Sequence, residues 1–270
     1  MPVKKSYSCW SFLFGLAIGI FPFFSCAPNQ KNTVVIAGST SIQPFSERLA
    51  EVYSQEHKQV KINVQGGGSS AGIKTVQTVV CNIGMSSREL NPEEKGLNEI
   101  IIAYDGIVII VNQRNRVQNL SLANVAEIFA GKIKHWNDVG GIKRRINVII
   151  REEGSGTRHS FEEKVMKDKD VTIDALVQDS NGAVREIVAN DPNAIGYISF
   201  GLLDDRVKPI TLDSVIPTIA SIKQRKYPVV RAFLFLTKSK PQGQVKKFID
   251  FVLSRKGQKL LQEEGLIPIN

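Results

Sequence analysis

The order of this 270-residue chain predicts an α/β fold of two lobes joined by two crossing strands. Three observations carry that expectation. Short apolar or alternating runs alternate with amphipathic helical stretches through the whole sequence, the pattern of βα units built on a sheet. Three of the strand-to-helix turns place Gly, Ser and Thr at the helix start. Two extended apolar runs, IIAYDGIVIIVN (101–112) and KYPVVRAFLFLTK (226–238), are long enough to pass from one lobe to the other and back. A hinged, two-lobed binding protein needs such a pair of crossings. One continuous α/β sheet would fit the same periodicity.

The chain opens with Lys4 and Lys5, an uncharged apolar run over 10–24, and then Ser25-Cys26 before the polar APNQKNT. This has the layout of an export signal and is short for a membrane span. A small residue before a Cys at the end of the apolar region matches a bacterial lipoprotein processing site. The expected divisions are therefore a signal peptide over 1–26 with lipidation at Cys26, a tether over 27–32, lobe 1 over 33–110 plus 230–270, and lobe 2 over 111–229. A plain secretory signal, or an uncleaved anchor, is the alternative. Of three cysteines, Cys9 and Cys26 belong to this leader, so Cys81 is left as a buried thiol without a disulfide partner.

Strands are predicted at 33–37, 60–64, 82–85, 101–111, 146–150, 194–199, 207–210 and 228–237. Helices are predicted at 43–56, 71–80, 92–98, 122–130, 157–166, 172–177, 182–190, 213–221 and 241–263. Each rests on apolar spacing: Phe45, Leu49, Val52 and Tyr53 mark the first helix, and Ile73, Val76 and Val80 the second.

The turns carry the chemistry. GSTSIQPF follows the strand at 33–37, QGGGSSAGI follows the strand at 60–64, and REEGSGTRHSF follows the strand at 146–150. DSNGAVREIV, with Ser180 or Asn181 as cap, is a softer fourth case. The first N–H groups of a helix have no intrahelical partner, and the helix dipole places partial positive charge there. Gly154 and Gly156 allow close backbone approach, Ser155 and Thr157 add hydroxyls, and Arg151 adds a planar charged fork. Taken singly, each turn could be an ordinary cap. Three together describe a cradle for a small oxyanion.

The formal charge is +9, near +7 without Lys4 and Lys5. Its basic residues are dispersed and lack interleaved aromatics, so nucleic acid is not expected. A diffuse positive field instead favours an anionic ligand or membrane surface. The three histidines, His57, His135 and His159, are scattered, and no Cys/His cluster has metal spacing; neither metal nor cofactor is expected.

Taken in order, IAGSTSIQPF, QGGGSSAGI, NIGMSSREL, AYDGIVIIVN, REEGSGTRHSF and NDPNAIGYISF resemble the phosphate-binding proteins of bacterial phosphate ABC transporters, the PstS family, from Thr33 to the C-terminus. The resemblance implies a type II periplasmic-binding-protein fold. It also implies an exported, lipid-anchored monomer facing the periplasm or cell exterior, which delivers inorganic phosphate to a permease pair driven by a separate ATPase. The ligand residues it implies are Thr40, Ser41, Ser69 and Ser70 from the first lobe, and Arg151, Ser155, Gly156 and Thr157 from the second. Glu153 would orient Arg151, and Asn181 would support the site. Ser87 stands where some long members have Asp, and Asp105 in the DGI motif is the acid of the shorter members. An ionised Asp105 could accept a hydrogen bond from protonated phosphate and repel sulfate; an Asp opening a turn before Gly106 is the plainer alternative.

Other readings are another tetrahedral oxyanion, a lipid-anchored adhesin, or a serine hydrolase. Gly68-Ser69-Ser70-Ala71-Gly72 fits G-x-S-x-G, but His159 falls in a helix's first turn and not on a late loop. The spacing of Gly67, Gly72, Lys74 and Thr75 only approaches a P-loop.

Overall fold

The structure is a computed structural model that describes residues 1–3 and 32–269. Residues 4–26 of the expected signal peptide, Cys26 among them, and all of the tether but Asn32 lie outside the described residues. Among the described residues no helix is long and apolar enough to cross a membrane.

The strands are β1 (Thr33–Gly38), β2 (Lys61–Gln65), β3 (Ile83–Ser86), β4 (Asn98–Asn112), β5 (Asn119–Leu120), β6 (Asn147–Arg151), β7 (Leu176–Gln178), β8 (Ala194–Ser199), β9 (Val207–Pro209), β10 (Thr211–Leu212) and β11 (Val230–Thr237). The helices are α1 (Gln43–Glu56), α2 (Ser69–Gln77), α3 (Leu122–Phe129), α4 (Gly156–Phe161), α5 (Asn181–Asn190), α6 (Ile219–Lys223), α7 (Gly243–Leu253) and α8 (Arg255–Glu263). A π-helical turn, Glu162–Met166, prolongs α4.

The main sheet runs β2-β1-β3-β11-β4-β8-β6-β7, with β9 also on β4, and β5 and β10 form a separate pair. Strands β1, β2 and β3 are parallel, as are β6, β7 and β8, while β11 runs antiparallel to both β3 and β4. The long β4 serves two halves. Asn98–Gly106 pairs with β11, and Ile107–Asn112 pairs with β8 and β9.

The apolar core divides at the same place. Val34, Ile36, Phe45, Leu49, Tyr53, Ala103, Phe233 and Phe248 pack in one cluster, with a smaller cluster of Ile73, Val76 and Leu236 beside it. Ile107 to Val111, Phe129, Phe161, Tyr197 and Val229 pack in another. Each buried side chain of this size contributes about 1.5–3 kcal/mol. The two crossings therefore change cores between Ala103 and Ile107 on β4 and between Val229 and Phe233 on the chain leading into β11.

Several elements differ from the sequence expectation. Residues 172–177 are not helical: Leu176, Val177 and Gln178 pair with Ile149, Ile150 and Arg151 at the sheet edge. Residues 92–98 give one 3₁₀ turn, Pro92–Glu94, before β4 begins. The helix expected at 213–221 starts later, after the Thr218 cap, because Asp213 and Ser214 adopt φ of 46° and 66°, a left-handed turn that no helix tolerates. The second helix ends at Gln77, and Val79 turns the chain with φ 59°. The last helix is two. Ser254 is extended (ψ 162°) and its side chain accepts from Gly257 N, so it ends α7 and caps α8.

Candidate anion-binding site

The three Gly/Ser/Thr turns meet where β4 and β11 cross. Ser39, Ser41, Ser69, Ser87 and Thr157 are all buried and lie in one hydrogen-bonded cluster. Ser39 Oγ donates to Ser87 Oγ (2.9 Å), Ser69 Oγ lies 3.3 Å from Ser87 Oγ, and Ser87 N donates to Ser69 Oγ (3.0 Å). Ser41 Oγ lies 2.7 Å from Thr157 Oγ1 and accepts from Asn181 Nδ2 (2.9 Å). Asn181 is fixed in turn by Ser199 N, which donates to its Oδ1 (3.0 Å).

The backbone approach is close. A Cβ on Gly156 would fall 2.2 Å from Ser69 Oγ and 2.6 Å from Ser87 Oγ, so only glycine fits there. Gly68 has φ 86°, and a side chain on it would meet Gly154 O at 2.7 Å. The neighbouring Ser70 N donates to that same carbonyl (3.2 Å). Ser69 opens α2 and Gly156 opens α4, positions whose N–H groups have no partner inside their helices. Ser155 is the cap of α4, its Oγ accepting from Arg158 N (3.3 Å).

Arg151, at the end of β6, is 1% exposed. Its Nε and Nη2 donate to Glu152 (2.9 Å each), and Nη2 also donates to Thr40 Oγ1 (2.9 Å) and Asp179 O (3.1 Å). Nη1 is buried and has no partner among the protein atoms. Its backbone N donates to the Tyr197 hydroxyl (3.2 Å). Tyr197 stacks on Phe161 at 4.1 Å, and burial drives its phenol well above the ordinary value.

A second guanidinium was not anticipated. Arg231 on β11 grips Asp105 Oδ2 through Nε (3.0 Å) and Nη2 (2.8 Å), and its Nη1 donates to Thr157 Oγ1 (2.8 Å) and Ser87 O (3.4 Å). Asp105 Oδ1 accepts from Ser199 Oγ (2.9 Å) and Phe200 N (3.1 Å). Burial pushes the Asp105 carboxyl upward, and the Arg231 guanidinium, Ser199 and a backbone N–H pull it back. Burial likewise lowers Arg231, and Asp105 opposes that. The net effect leaves the carboxyl above the ordinary aspartate value, while the four donors on its two oxygens, two of them from the Arg231 guanidinium, favour its charged form.

Three sequence-based roles need correction. Glu153 is exposed, and it is Glu152 that holds Arg151. Ser70 is exposed, and its Oγ takes Arg88 Nη2 (3.3 Å) and not the cluster; this is also the serine of the G-x-S-x-G match, and among the described residues no histidine hydrogen-bonds to it. Asp105 lies in the cluster, but its acceptor directions are filled by protein donors. Sequence reasoning missed Ser39, Ser199, Glu152 and Arg231. For Arg231 the signal was present: a lone cation within VVRAFLFL is too costly to bury unpaired.

Among the described residues no group of three or more His, Cys, Asp or Glu could hold a metal ion. The arrangement can instead surround a small anion with hydroxyls, helix starts and a guanidinium.

A family model described as a PBP superfamily domain matches residues 26–256. The phosphate-binding protein PstS of Borreliella burgdorferi is 30% identical over 261 residues, covering 91% of this chain and 94% of that one. The chain belongs to the PstS family. Among solved PstS-like structures, a Clostridium perfringens protein described as a phosphate ABC transporter substrate-binding protein, solved with bound phosphate, is 41% identical with a TM-score of 0.86, and the match covers 88% of this chain and all 100% of that one. An ABC-type phosphate transport receptor from Vibrio cholerae is 39% identical with a TM-score of 0.74, over 87% and 99% of the two chains. The periplasmic-binding-protein fold described above is thus shared with PstS relatives.

Proposed function

We propose that this protein binds one inorganic phosphate in the cluster between its two halves and delivers it to an ABC-type phosphate importer. The observation that carries this reading is a surplus of buried donors. Asn181 and Arg231 can only donate to Ser41 and Thr157 through the atoms that touch them, so of the two hydroxyl protons on that 2.7 Å pair one alone can lie between them. The Ser69–Ser87 pair is in the same position, since Ser87 N already donates to Ser69 Oγ and Ser39 Oγ to Ser87 Oγ. Arg151 Nη1 adds further N–H groups without an acceptor. A buried cluster rich in donors and poor in acceptors is satisfied by an acceptor-rich guest, and a phosphate oxyanion is one.

The halves act as lobes that close about the crossing strands, one over 33–103 with 233–270 and the other over 107–229, a division a few residues earlier on β4 and later before β11 than the 110/111 and 229/230 expected from the sequence. Ser70 N to Gly154 O, Arg151 to Thr40 and Ser41 to Thr157 are the contacts made on closure. The phosphate ligands are Thr40, Ser41, Ser69, Ser87, Arg151, Ser155, Gly156 and Thr157, with Asn181 and Glu152 in support. The protein is a monomer, exported and held at a membrane through a lipid on Cys26, and it performs no chemistry on its cargo. Calorimetric titration of purified, anion-free protein with phosphate tests the reading. One-to-one binding is expected, and absence of any phosphate response would refute it.

A further inference from the structure

We infer that Arg231 is a positioning residue for anion binding: it fixes the direction of the Thr157 hydroxyl, and Asp105 is the clamp that holds Arg231 in place. The inference rests on the phosphate reading and adds how the donors of that site are set. Asp105 and Arg231 face each other in the antiparallel register of β4 and β11, at the crossing between the two cores. The fork formed by Nε and Nη2 closes on one carboxylate oxygen at 3.0 and 2.8 Å, while Ser199 and Phe200 N hold the other. With both oxygens committed, the guanidinium plane cannot turn without breaking a buried ion pair whose members are 0% and 5% exposed.

The remaining nitrogen, Nη1, then has a fixed aim: Thr157 Oγ1 in one half and Ser87 O in the other. A guanidinium has donors only. Thr157 Oγ1 must therefore accept at that point, and its own proton is driven to the side facing Ser41 and the anion. Removing the guanidinium would free the Ser87 carbonyl and the Thr157 lone pair together, and the hydroxyl could turn inward. Asp105 then serves the anion only through Arg231 and Thr157. It is not itself the group that reads the ligand's proton.

The chain from Asp105 through Arg231 to Thr157 makes an unusual demand on mutational data. Loss of the ion pair must cost affinity only while Thr157 keeps its hydroxyl. The test is a double-mutant cycle read by calorimetry with inorganic phosphate. One edge replaces the pair with neutral groups, Asp105→Asn together with Arg231→Gln, which avoids leaving one buried charge alone. The other edge is Thr157→Val. Neutralising the pair is expected to weaken phosphate binding about tenfold or more in the parental background, and by less than about threefold when Thr157 is already Val, within the usual range of coupling between contacting residues. Equal losses in both backgrounds would overturn the inference, because they would mean that the pair acts on the fold or on the anion without Thr157. If the neutral pair does not melt cooperatively by circular dichroism, Arg231→Lys takes its place in the cycle. An ammonium on that stem can stay beside Asp105 but cannot present the same fork to both partners. Parental affinity in Arg231→Lys would also overturn the inference. Phosphate binding by the parental protein is measured in the same series, so failure of the underlying reading would show there and not in the cycle.

Discussion

Arg151 and Arg231 lie in the same cluster and are both withdrawn from solvent, yet they are bonded in opposite ways. Arg231 has every nitrogen occupied, and its partner Asp105 is completely buried. Arg151 leaves Nη1 without a partner, and its carboxylate Glu152 is 30% exposed. A guanidinium saturated by protein groups holds other side chains in place. One left partly unsaturated, with a partner that water can also solvate, is free to give a hydrogen bond to a guest. The difference separates support from binding within a single charged cluster.

The largest effect should come from breaking the saturated partner. Arg231→Met leaves Asp105 buried and unpaired, and chemical denaturation should show a loss of about 3–5 kcal/mol of stability. A loss below about 1 kcal/mol would mean that Asp105 is hydrated or protonated at little cost. Arg151→Ala should behave differently. Its partner can be solvated, so the fold should melt near the parental temperature while phosphate binding by calorimetry weakens by about 2–5 kcal/mol. A reversal of these two profiles would invert the roles assigned to the two arginines.

A third guanidinium, Arg88, lies beside Ser87 and sharpens the contrast at lower cost. It donates to both oxygens of Glu94 at 2.6 and 2.7 Å, and that hydrogen bond holds the Glu94 carboxyl below the ordinary glutamate range. A depressed folded-state value means stability that is present above the unfolded value and lost as pH falls through the folded one. Glu94→Gln should therefore cost about 1–3 kcal/mol at neutral pH and progressively less below about pH 4. Urea melts at several pH values check this, and a cost that does not change with pH would show that the charge of Glu94 is irrelevant. The smallest effect separates two neighbours. Glu152→Gln should weaken phosphate binding by about 1 kcal/mol through a looser Arg151, whereas Glu153→Gln should fall within about 0.5 kcal/mol of the parent. Equal effects would remove the assignment of Glu152.

Much of this was legible in the sequence because glycine and hydroxyl residues at strand-to-helix turns are local signals. GSTS, GGGSS and GSGT each lead into a helix, and each supplies side chains to the cluster: Ser39 and Ser41, Ser69, and Thr157. What was not legible depended on partners far along the chain. The segment at 172–177 has helical apolar spacing, but the free edge of β6 takes it as a strand. Ser254 divides the last helix because its side chain caps the next one. The choice of Glu153 came from the family resemblance and not from any local pattern of the chain. Strand β6 stops at Arg151, however, and the turn brings the very next carboxylate alongside. Arg231 meets Asp105 across 126 residues through a register that no local pattern fixes. The same limit explains why Asp105 could be read as a ligand. Its site was visible, but the donors that fill it were not.

The most direct measurement is a crystal structure of the protein with bound phosphate. A phosphate oxygen should lie within about 3 Å of Arg151 Nη1, with Ser41, Ser69 and Thr157 around it and with Arg231 still paired to Asp105. A phosphate bound by Arg231 after it has left Asp105, or a phosphate seated away from Arg151, would contradict the division of labour between the two guanidinium groups.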